Sequence, residues 1–170
     1  MKNSDYMARE DRALFYAKHA HGEQKRRHTE EPYWHHPLRV ANMVKATPRS
    51  TIEMVEAAYL HDVLEDTDVT EAELRLLFSP VTVDYVVWLT DPPKEAGNRA
   101  KRKAMTIERL ARAPNPVKTI KLADILDNAP SLKAHDPKFF PVWAAEKRES
   151  LPSLIGGNSA LFTKVVTLIS

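Results

Sequence analysis

The chain has 170 residues and a formal net charge of +2, with 43% hydrophobic and 28% charged residues. This composition is typical of one globular domain with a substantial core, and so mild a charge does not by itself indicate nucleic-acid binding. The absence of cysteine excludes disulfides, zinc–thiolate sites and cysteine nucleophiles. No apolar segment approaches the roughly 20 residues of a membrane span, and the polar N-terminus predicts no signal peptide, so we expect a cytoplasmic protein without a membrane partner.

The N-terminal stretch predicts a helix followed by a basic loop. Apolar residues recur at helical spacing from about Tyr6 to His19, and Gly22 ends this helix. The chain is then polar and charged as far as Pro32, with a cationic cluster at residues 25–28. Such a cluster attracts a polyanionic small ligand as readily as it attracts nucleic acid.

Two further helices are predicted before residue 67. His36-Pro37 starts the first of them, with Pro37 at the first helical position, where its missing N–H costs nothing. Pro48 ends that helix, and Ser50 or Thr51 caps a strongly apolar one that runs into the stretch 57–67.

The rest of the chain also has the pattern of helices separated by proline. Residues 70–73 resemble a capping box, and Pro80 starts a helix rather than a strand, because no second strand candidate exists to pair with it. The later predicted helices are 97–112, 117 to about 133, shorter pieces divided by Pro137, Pro141 and Pro152, and a terminal helix opened by Asn158 or Ser159. We therefore predict an all-α fold of about eight or nine helices in a single compact domain, residues 1–170.

The stretch 57–67 concentrates ionisable side chains at the end of an apolar helix. His61 and Glu65 are four residues apart, and so are Asp62 and Asp66. This spacing places each pair on one helical face. Such groups at the end of a buried helix cost stability unless something compensates, and a divalent metal would do so.

Two other segments contain residues that could complete a metal site. His36 projects from a helix start, and Asp124 lies within the apolar run 122–126, with Asn128 one turn further along. Imidazoles combined with carboxylates suit manganese, iron, cobalt or zinc rather than calcium, and they leave coordination positions open for water or phosphate. The candidate ligands are His36, His61, Asp62 and Asp124.

Each of these residues alone also fits a plain structural role. A His-Asp dipeptide by itself is close to uninformative. His36 could belong to a solvated helix start, and Asp124 or Asn128 could lie on a helix surface. Four of the remaining histidines are expected at surface or loop positions: His19, His21, His28 and His35. His135 could share the face of Asp124, but it also fits an ordinary position near a helix end. The segments become specific only when they are taken together and in order.

That order resembles a known family. His36, then His61-Asp62, then Asp124 is similar to the His…His-Asp…Asp pattern of the HD-domain metal phosphohydrolases. The resemblance implies the compact helical fold of that family and a hydrolytic enzyme with a metal site.

Three longer stretches resemble the (p)ppGpp hydrolase domain of the RelA/SpoT family: 27–37, 60–67 and 121–128. The pair Glu65-Asp66 is the most discriminating part, since generic HD proteins need not have it. With no room for a synthetase domain, the chain is similar to the stand-alone small alarmone hydrolases. The resemblance runs from about residue 10 to residue 135.

By this resemblance the four candidate ligands would hold one divalent ion, usually manganese. Glu65 and Asp66 would position or deprotonate the attacking water. Asn128 would contact the ribose side of the nucleotide. Arg27 would lie along the purine base, with His28 beside it as the alternative contact.

The implied reaction removes the 3′-pyrophosphate of (p)ppGpp and gives GDP or GTP plus pyrophosphate. A carboxylate near a metal-bound water can accept its proton, and cationic side chains stabilise charge that develops on pyrophosphate. Lys101, Arg102 or Lys103 could provide those cations, although a solvated helix face fits each of them as well. The expected partner is a small nucleotide and not nucleic acid.

Two other functions fit the same residues. The first is an HD phosphohydrolase acting on another nucleotide, such as an adenosine alarmone, NADPH or a deoxynucleotide. The second is a catalytically silent nucleotide-binding regulator, against which the intact Glu65 and Asp66 weigh.

Overall fold

The computed structural model describes the backbone of residues 3–170 and the side chains of residue 5 and residues 8–170. In this part of the chain, all regular structure is helical except one isolated antiparallel bridge between Lys25 and Pro32. It contains ten α-helical segments, of which nine are longer than a single turn, so the predicted all-α fold of about eight or nine helices is confirmed. None of the described helices is long and apolar enough to cross a membrane.

Backbone contacts divide the chain into two units, the first ending at Thr90 and the second spanning Asp91–Ser170. The helices of the first unit are α1 (Asn3–His21), α2 (His35–Lys45), α3 (Ile52–Leu60), α4 (Val63–Asp66), α5 (Glu71–Leu77) and α6 (Pro80–Leu89). The second unit contains α7 (Arg99–Arg112), α8 (Asn115–His135), α9 (Phe140–Ser150) and α10 (Ser159–Ile169), with 3-10 helices at Lys94–Ala96 and Leu151–Leu154. The single domain over residues 1–170 stays a prediction, and its residues Met1 and Lys2, like the side chain of Tyr6, lie outside the described part.

Helix α3 is the centre of the first unit because its sequence is apolar almost all the way round. It packs against α1, α2 and α6, and every residue from Met54 to Leu60 is buried. A helix that is hydrophobic on all sides is stable when neighbours cover all of its sides. The C-terminal end of α3 is therefore firmly held, and His61 and Asp62 follow directly from it.

Helix α1 packs through a stripe of residues spaced four apart. Ala13 and Ala17 are fully buried, and their small side chains let the neighbouring helix approach closely. His21 continues the same stripe and is only 4% exposed, so the expectation of a surface position for His21 was wrong. Gly22 ends the helix with φ +50°, as predicted, because glycine adopts this conformation at little cost.

The helix starts that depend on capping side chains are confirmed. Thr51 accepts a hydrogen bond from the N–H of Met54, and the capping box formed by Thr70 and Glu73 is complete. Asn158 caps α10. These short polar side chains satisfy backbone N–H groups of the first turn, so they mark a helix start without any tertiary information. The segment that begins at Pro80 is a helix, as expected.

The start of α2 differs from the prediction. The helix begins at His35, so Pro37 occupies its third position rather than its first. The N–H groups of His35 and His36 bond to the carbonyls of Pro32 and Tyr33, which adds a turn before the helix proper. Pro37 is still tolerated, because N–H groups in the first turn have no partner within the helix.

The second unit is organised around α8, which packs against α9, α10 and the 3-10 helix Leu151–Leu154. The amine of Lys118 is drawn into this interface and donates to the carbonyls of Ala111 and Ile155, at 3.2 and 3.1 Å. Gly157 approaches α8 so closely that a Cβ there would lie 2.8 Å from the side chain of Leu122. These contacts fix the middle of α8, the segment that contains Asp124.

Candidate functional site

The chain breaks its helix at the predicted metal motif. Helix α3 ends at Leu60, His61 follows as its C-cap, and Asp62 is the residue before the single turn of α4. The N–H groups of Glu65 and Asp66 both bond to the carbonyl of Asp62, at 3.1 and 2.9 Å. The prediction of one continuous helical face for His61 and Glu65 was therefore wrong, and the two residues belong to separate elements.

The imidazole of His61 is oriented by the backbone of α3. Its Nδ1 lies 2.8 Å from the carbonyl oxygen of Ala58, which can only accept a hydrogen bond. Nδ1 therefore carries a proton, and Nε2 is the ring nitrogen that faces Asp62. A histidine that donates one ring N–H to a carbonyl and presents the other nitrogen is the usual arrangement of a metal ligand.

Asp62 lies between the two motif histidines of the first unit. Its Oδ2 is 3.0 Å from Nε2 of His61 and 3.6 Å from Nε2 of His36. The two imidazole rings have centroids 5.1 Å apart. Both histidines are buried, so a solvated helix start is excluded for His36. Two ring nitrogens thus converge on one carboxylate oxygen.

Tyr33 reaches this carboxylate from the loop before α2. Its hydroxyl donates to Oδ2 of Asp62 at 2.7 Å. Its ring lies 4.6 Å from the ring of the buried His21, whose Nδ1 is 2.8 Å from Oε1 of Gln24. Arg26 is also close to Tyr33, with its guanidinium carbon 5.7 Å from the Tyr33 ring centroid.

The acidic pair that follows the histidine–aspartate motif is exposed. Glu65 and Asp66 both lie on the single turn of α4, and α4 packs against α1. They follow the half-buried Asp62 by three and four residues, and Asp62 is the N-cap of their turn. Solvent-exposed carboxylates can accept a proton from water.

Asp124 is 7% exposed in the middle of α8, so the alternative of a surface residue is wrong for this position. Its two carboxylate oxygens have different partners: Oδ2 pairs with Lys121 Nζ at 2.9 Å, and Oδ1 accepts a hydrogen bond from Asn128 Nδ2. The spacing along α8 places all three side chains on one face. Asn128 therefore orients Asp124 in addition to any contact it makes with a ligand.

A cavity of about 270 Å³ lies within the second unit, between α7, α8 and α9. Its walls carry several cations, the indole of Trp143 and a few acids, and the cations are Arg99, Arg102, Lys103, Lys121 and Lys147. Two of them are paired with carboxylates of α9, since Arg99 bonds to Glu146 and Lys103 to Glu149. The buried Nε of Arg102 has no hydrogen-bond partner among the described residues.

Lys147 is half-buried on the wall of this cavity. Burial, and after it the positive charge of Lys121, lowers the pKa of the Lys147 amine. Nearby, the hydrogen bond from Arg99 lowers the pKa of the Glu146 carboxyl. A lower pKa favours the charged form of a carboxyl, whereas it disfavours the charged form of the Lys147 amine. The cavity therefore holds a surplus of positive charge beside Lys121 and Lys147, which an anion would balance.

The predicted substrate-binding residues fall into different environments. Arg102 lines the cavity of the second unit, whereas Lys101 is exposed and its aliphatic stem covers Gly97. Arg27 is exposed and His28 is half-buried in the loop that follows α1. Their contacts with a nucleotide stay predictions.

The donor chemistry fits a divalent metal. Three of the predicted ligands are buried side chains of metal-binding type, His36, His61 and Asp124. In the first unit the ring nitrogens of both histidines lie near a carboxylate oxygen, and the proton of His61 is on the nitrogen that points away. Buried imidazole and carboxylate groups without thiols suit manganese, iron, cobalt or zinc.

Comparison with known proteins agrees with this reading of the residues. The family model of the HD domain matches residues 13–149. The chain belongs to the HD-domain family. A Drosophila melanogaster relative named guanosine-3′,5′-bis(diphosphate) 3′-pyrophosphohydrolase MESH1 is 35% identical over 138 residues, which cover 80% of this chain and 74% of that protein. An Aquifex aeolicus relative named guanosine-3′,5′-bis(diphosphate) 3′-pyrophosphohydrolase is 40% identical over 122 residues, 71% of this chain and 17% of that protein.

Two solved structures are similar to this chain in fold. A metazoan ortholog of SpoT, described as hydrolysing ppGpp, matches with a TM-score of 0.84 at 29% identity, over 95% of this chain and 93% of that one. The Listeria monocytogenes protein lmo0812 matches with a TM-score of 0.67 at 28% identity, over 82% of this chain and 94% of that one. The predicted resemblance to (p)ppGpp hydrolases is confirmed by these relatives.

The sequence did not predict a role for three residues that lie near Asp62 or in the cationic cavity. Tyr33 stood within a quoted motif without a role, His21 was expected at the surface, and Lys147 was not considered. A weak signal existed for His21, because it continues the spacing of Ala13 and Ala17. Nothing in the local sequence distinguishes Lys147 from the neighbouring Arg148 of α9.

Proposed function

We propose that this HD-domain protein is a metal-dependent hydrolase of (p)ppGpp, which removes the 3′-pyrophosphate and gives GDP or GTP plus pyrophosphate. The Drosophila melanogaster and Aquifex aeolicus relatives are both named as guanosine-3′,5′-bis(diphosphate) 3′-pyrophosphohydrolases. The observation that supports it most is the convergence of His36 and His61 on Asp62, followed within one turn by Glu65 and Asp66. The first group suits a metal ion, and the second suits proton transfer.

The metal would be held by four ligands. His36, His61 and Asp62 of the first unit supply two imidazoles and a carboxylate, and Asp124 of the second unit is proposed as the fourth ligand. The burial of Asp124 within α8 and its place in the order of the family pattern support this role. Manganese is the proposed ion. A divalent metal at such a site lowers the pKa of a bound water and polarises a phosphate.

Glu65 and Asp66 are proposed to orient the attacking water and to take its proton. Hydrolysis adds the water oxygen to the phosphorus attached to the ribose 3′-oxygen, and the bond between that phosphorus and the 3′-oxygen breaks. The 3′-oxygen takes up a proton as it leaves. Exposed carboxylates directly after the metal-binding residue have the access to solvent that this role requires.

The cationic cavity of the second unit is proposed to bind phosphate groups of the nucleotide. Arg102 contributes a buried Nε, and Lys147 contributes an amine that is poorly compensated. Anions are stabilised by such groups because the low-dielectric wall strengthens each contact. Lys101 is a weaker candidate because it is exposed. Arg27 or His28 is proposed to contact the base, and Asn128 the ribose.

A nucleotide panel tests this proposal. The purified full chain is supplied with Mn²⁺ and with ppGpp, pppGpp, an adenosine alarmone, NADPH or a deoxynucleoside triphosphate, and products are separated by anion-exchange chromatography. We expect GDP or GTP and pyrophosphate in equal amounts from the guanosine substrates. If only another nucleotide is turned over, the assigned substrate is wrong. If the nucleotides bind tightly but none is turned over, the proposed enzymatic function is wrong.

The roles of the acidic pair are tested by Glu65→Ala. We expect turnover to fall about 10²- to 10⁴-fold, the usual contribution of a general base, while Mn²⁺ affinity stays within about twofold. Glu71→Ala is the matched control, because Glu71 is an exposed glutamate on another helix of the same unit. Full activity of Glu65→Ala would refute the assigned role.

A further inference from the structure

Tyr33 contacts the predicted metal motif, and the proposed function gives this contact no role. Its hydroxyl donates to Oδ2 of Asp62 at 2.7 Å. The same oxygen is 3.0 Å from Nε2 of His61 and 3.6 Å from Nε2 of His36. Tyr33 therefore contacts the carboxylate oxygen that faces both ring nitrogens.

The position of Tyr33 is set by its surroundings rather than by Asp62 alone. Its backbone N–H bonds to the carbonyl of Gln24 at 2.8 Å, and its carbonyl accepts from His36 at 2.9 Å. Its ring packs against the rings of His21 and His36, with centroids 4.6 and 5.9 Å away. The hydroxyl is thus presented to Asp62 from a well-anchored ring.

We propose that Tyr33 is a positioning residue, which holds the Asp62 carboxylate in the rotamer that presents Oδ2 to the metal. The inference rests on the metal site of the proposed function. Asp62 is half-buried at the break between α3 and α4, so its side chain has freedom that a residue inside a helix would lack. A neutral phenol restricts this freedom with one hydrogen bond and adds no charge that would repel a cation.

The physical consequence is a lower entropic cost of metal binding. A carboxylate that already points at the site loses less freedom when the ion arrives, and a hydrogen bond to a ligating carboxylate fixes its direction. Removing such an outer contact typically costs 10- to 100-fold in metal affinity. Tyr33 touches neither the reacting phosphate nor the attacking water in this role, and it acts entirely through Asp62.

The test compares Tyr33→Phe with Tyr59→Phe. Tyr33→Phe removes the hydroxyl and keeps the ring. Tyr59 is the matched control, because its hydroxyl also donates to a carboxylate, Oε1 of Glu10 at 3.2 Å, in the same unit. Isothermal titration calorimetry of the metal-free full chain with Mn²⁺ gives the dissociation constants. We expect Tyr33→Phe to bind Mn²⁺ about 10- to 100-fold more weakly and Tyr59→Phe to bind it as the wild type does.

Two further readouts separate positioning from a general structural role. The unfolding temperature of the metal-free Tyr33→Phe protein should equal that of the wild type within about 2 °C. Its kcat should return to the wild-type value when Mn²⁺ is raised to saturation. Wild-type Mn²⁺ affinity in Tyr33→Phe, or a loss of kcat that saturating Mn²⁺ does not restore, would overturn the inference. A wild-type chain that binds no divalent metal would instead overturn the proposed function.

Discussion

Lys147 is a half-buried lysine beside a second lysine, and this placement disfavours the charged form of its amine. Burial and the neighbouring Lys121 both lower its pKa, and the acids nearby offset this only in part. Cationic side chains held at such a cost in a cavity are typical of sites that bind an anion. Lys147 is also within reach of the Trp143 ring, 5.4 Å from its centroid, which keeps the amine at the cavity wall.

We predict that Lys147→Met makes the protein more stable and makes it bind phosphate less well. Methionine retains the length and apolar character of the stem but removes the buried charge. Affinity for inorganic pyrophosphate, measured by calorimetry, should fall about tenfold, because a hydrogen bond to a charged group is worth about 1.5–3 kcal/mol. Thermal unfolding at neutral pH should occur at a higher temperature than in the wild type.

The effect of Lys147→Met on stability should depend on pH, because it depends on the charge of the Lys147 amine. The pKa of Lys147 is lower in the folded state than its ordinary value of 10.5. Below the folded pKa the amine is charged in both states and its penalty is complete, and above 10.5 the penalty is gone. The advantage of methionine should therefore shrink as pH rises. Lys164→Met, at an exposed lysine of α10, should change neither property. Unchanged pyrophosphate binding by Lys147→Met would contradict the prediction.

The sequence predicts the candidate ligands of the proposed site but not the residues that contact them. Asp124 was recognisable because a carboxylate interrupts an apolar run, and His36 because it stands at a helix start in the order His…His-Asp…Asp. Tyr33 supports Asp62 from 29 positions away. Lys147 belongs to the cavity only because α9 packs on α8. Neither contact leaves a local signal, since both depend on how helices pack.

Helix α3 contains a glutamate that links three helices. Glu56 is fully buried, and Arg9 of α1 donates to both of its oxygens, at 2.9 and 2.7 Å. Thr82 of α6 donates to it at 2.6 Å, and Arg12 lies 3.5 Å away. A buried charge is tolerated only when it is paired and hydrogen-bonded. This network therefore fixes α3 relative to α1 and α6, and with α3 the residues at its end.

We predict that Arg9→Met destabilises the protein by about 3 kcal/mol, because it leaves Glu56 buried without its bidentate partner. Arg75→Met is the control, since Arg75 pairs with Glu71 and Asp84 at the surface, where such pairs contribute at most about 1 kcal/mol. Urea denaturation measures both free energies of unfolding. Equal small losses in the two variants would show that the Glu56 network does not hold the unit together.

Helix boundaries were predictable where a side chain caps the backbone and unpredictable elsewhere. Thr51, Thr70 and Asn158 satisfy N–H groups of their own helices, so local chemistry is sufficient there. The break between α3 and α4 has no glycine or proline. His61 has φ −59° and ψ −28°, which is ordinary helical geometry. No local signal in the sequence therefore marks this interruption.

The proposed metal site affects the stability of the chain as well as its chemistry. An ion that binds the folded state and not the unfolded chain stabilises the folded state by mass action, by about 2.7 kcal/mol at a concentration of 100 times Kd. The proposed ligands lie on α2, at the end of α3 and on α8, elements far apart in the sequence. An unfolded chain does not hold such ligands together, so it should bind the ion weakly. The stabilisation should therefore be close to the value for an ion that binds only the folded state.

We predict that Mn²⁺ at about 100 times its Kd raises the unfolding temperature of the wild type by roughly 5–10 °C, since 1 kcal/mol corresponds to about 2–4 °C in a chain of this size. His61→Ala should lose this increase, because it removes an imidazole whose Nε2 is presented by the bond from Nδ1 to Ala58. Glu65→Gln should keep the increase and lose turnover, since Glu65 handles water rather than metal. Scanning calorimetry with and without Mn²⁺ measures all three shifts. Equal shifts in the wild type and His61→Ala would place the ion elsewhere, and a lost shift in Glu65→Gln would make Glu65 a ligand.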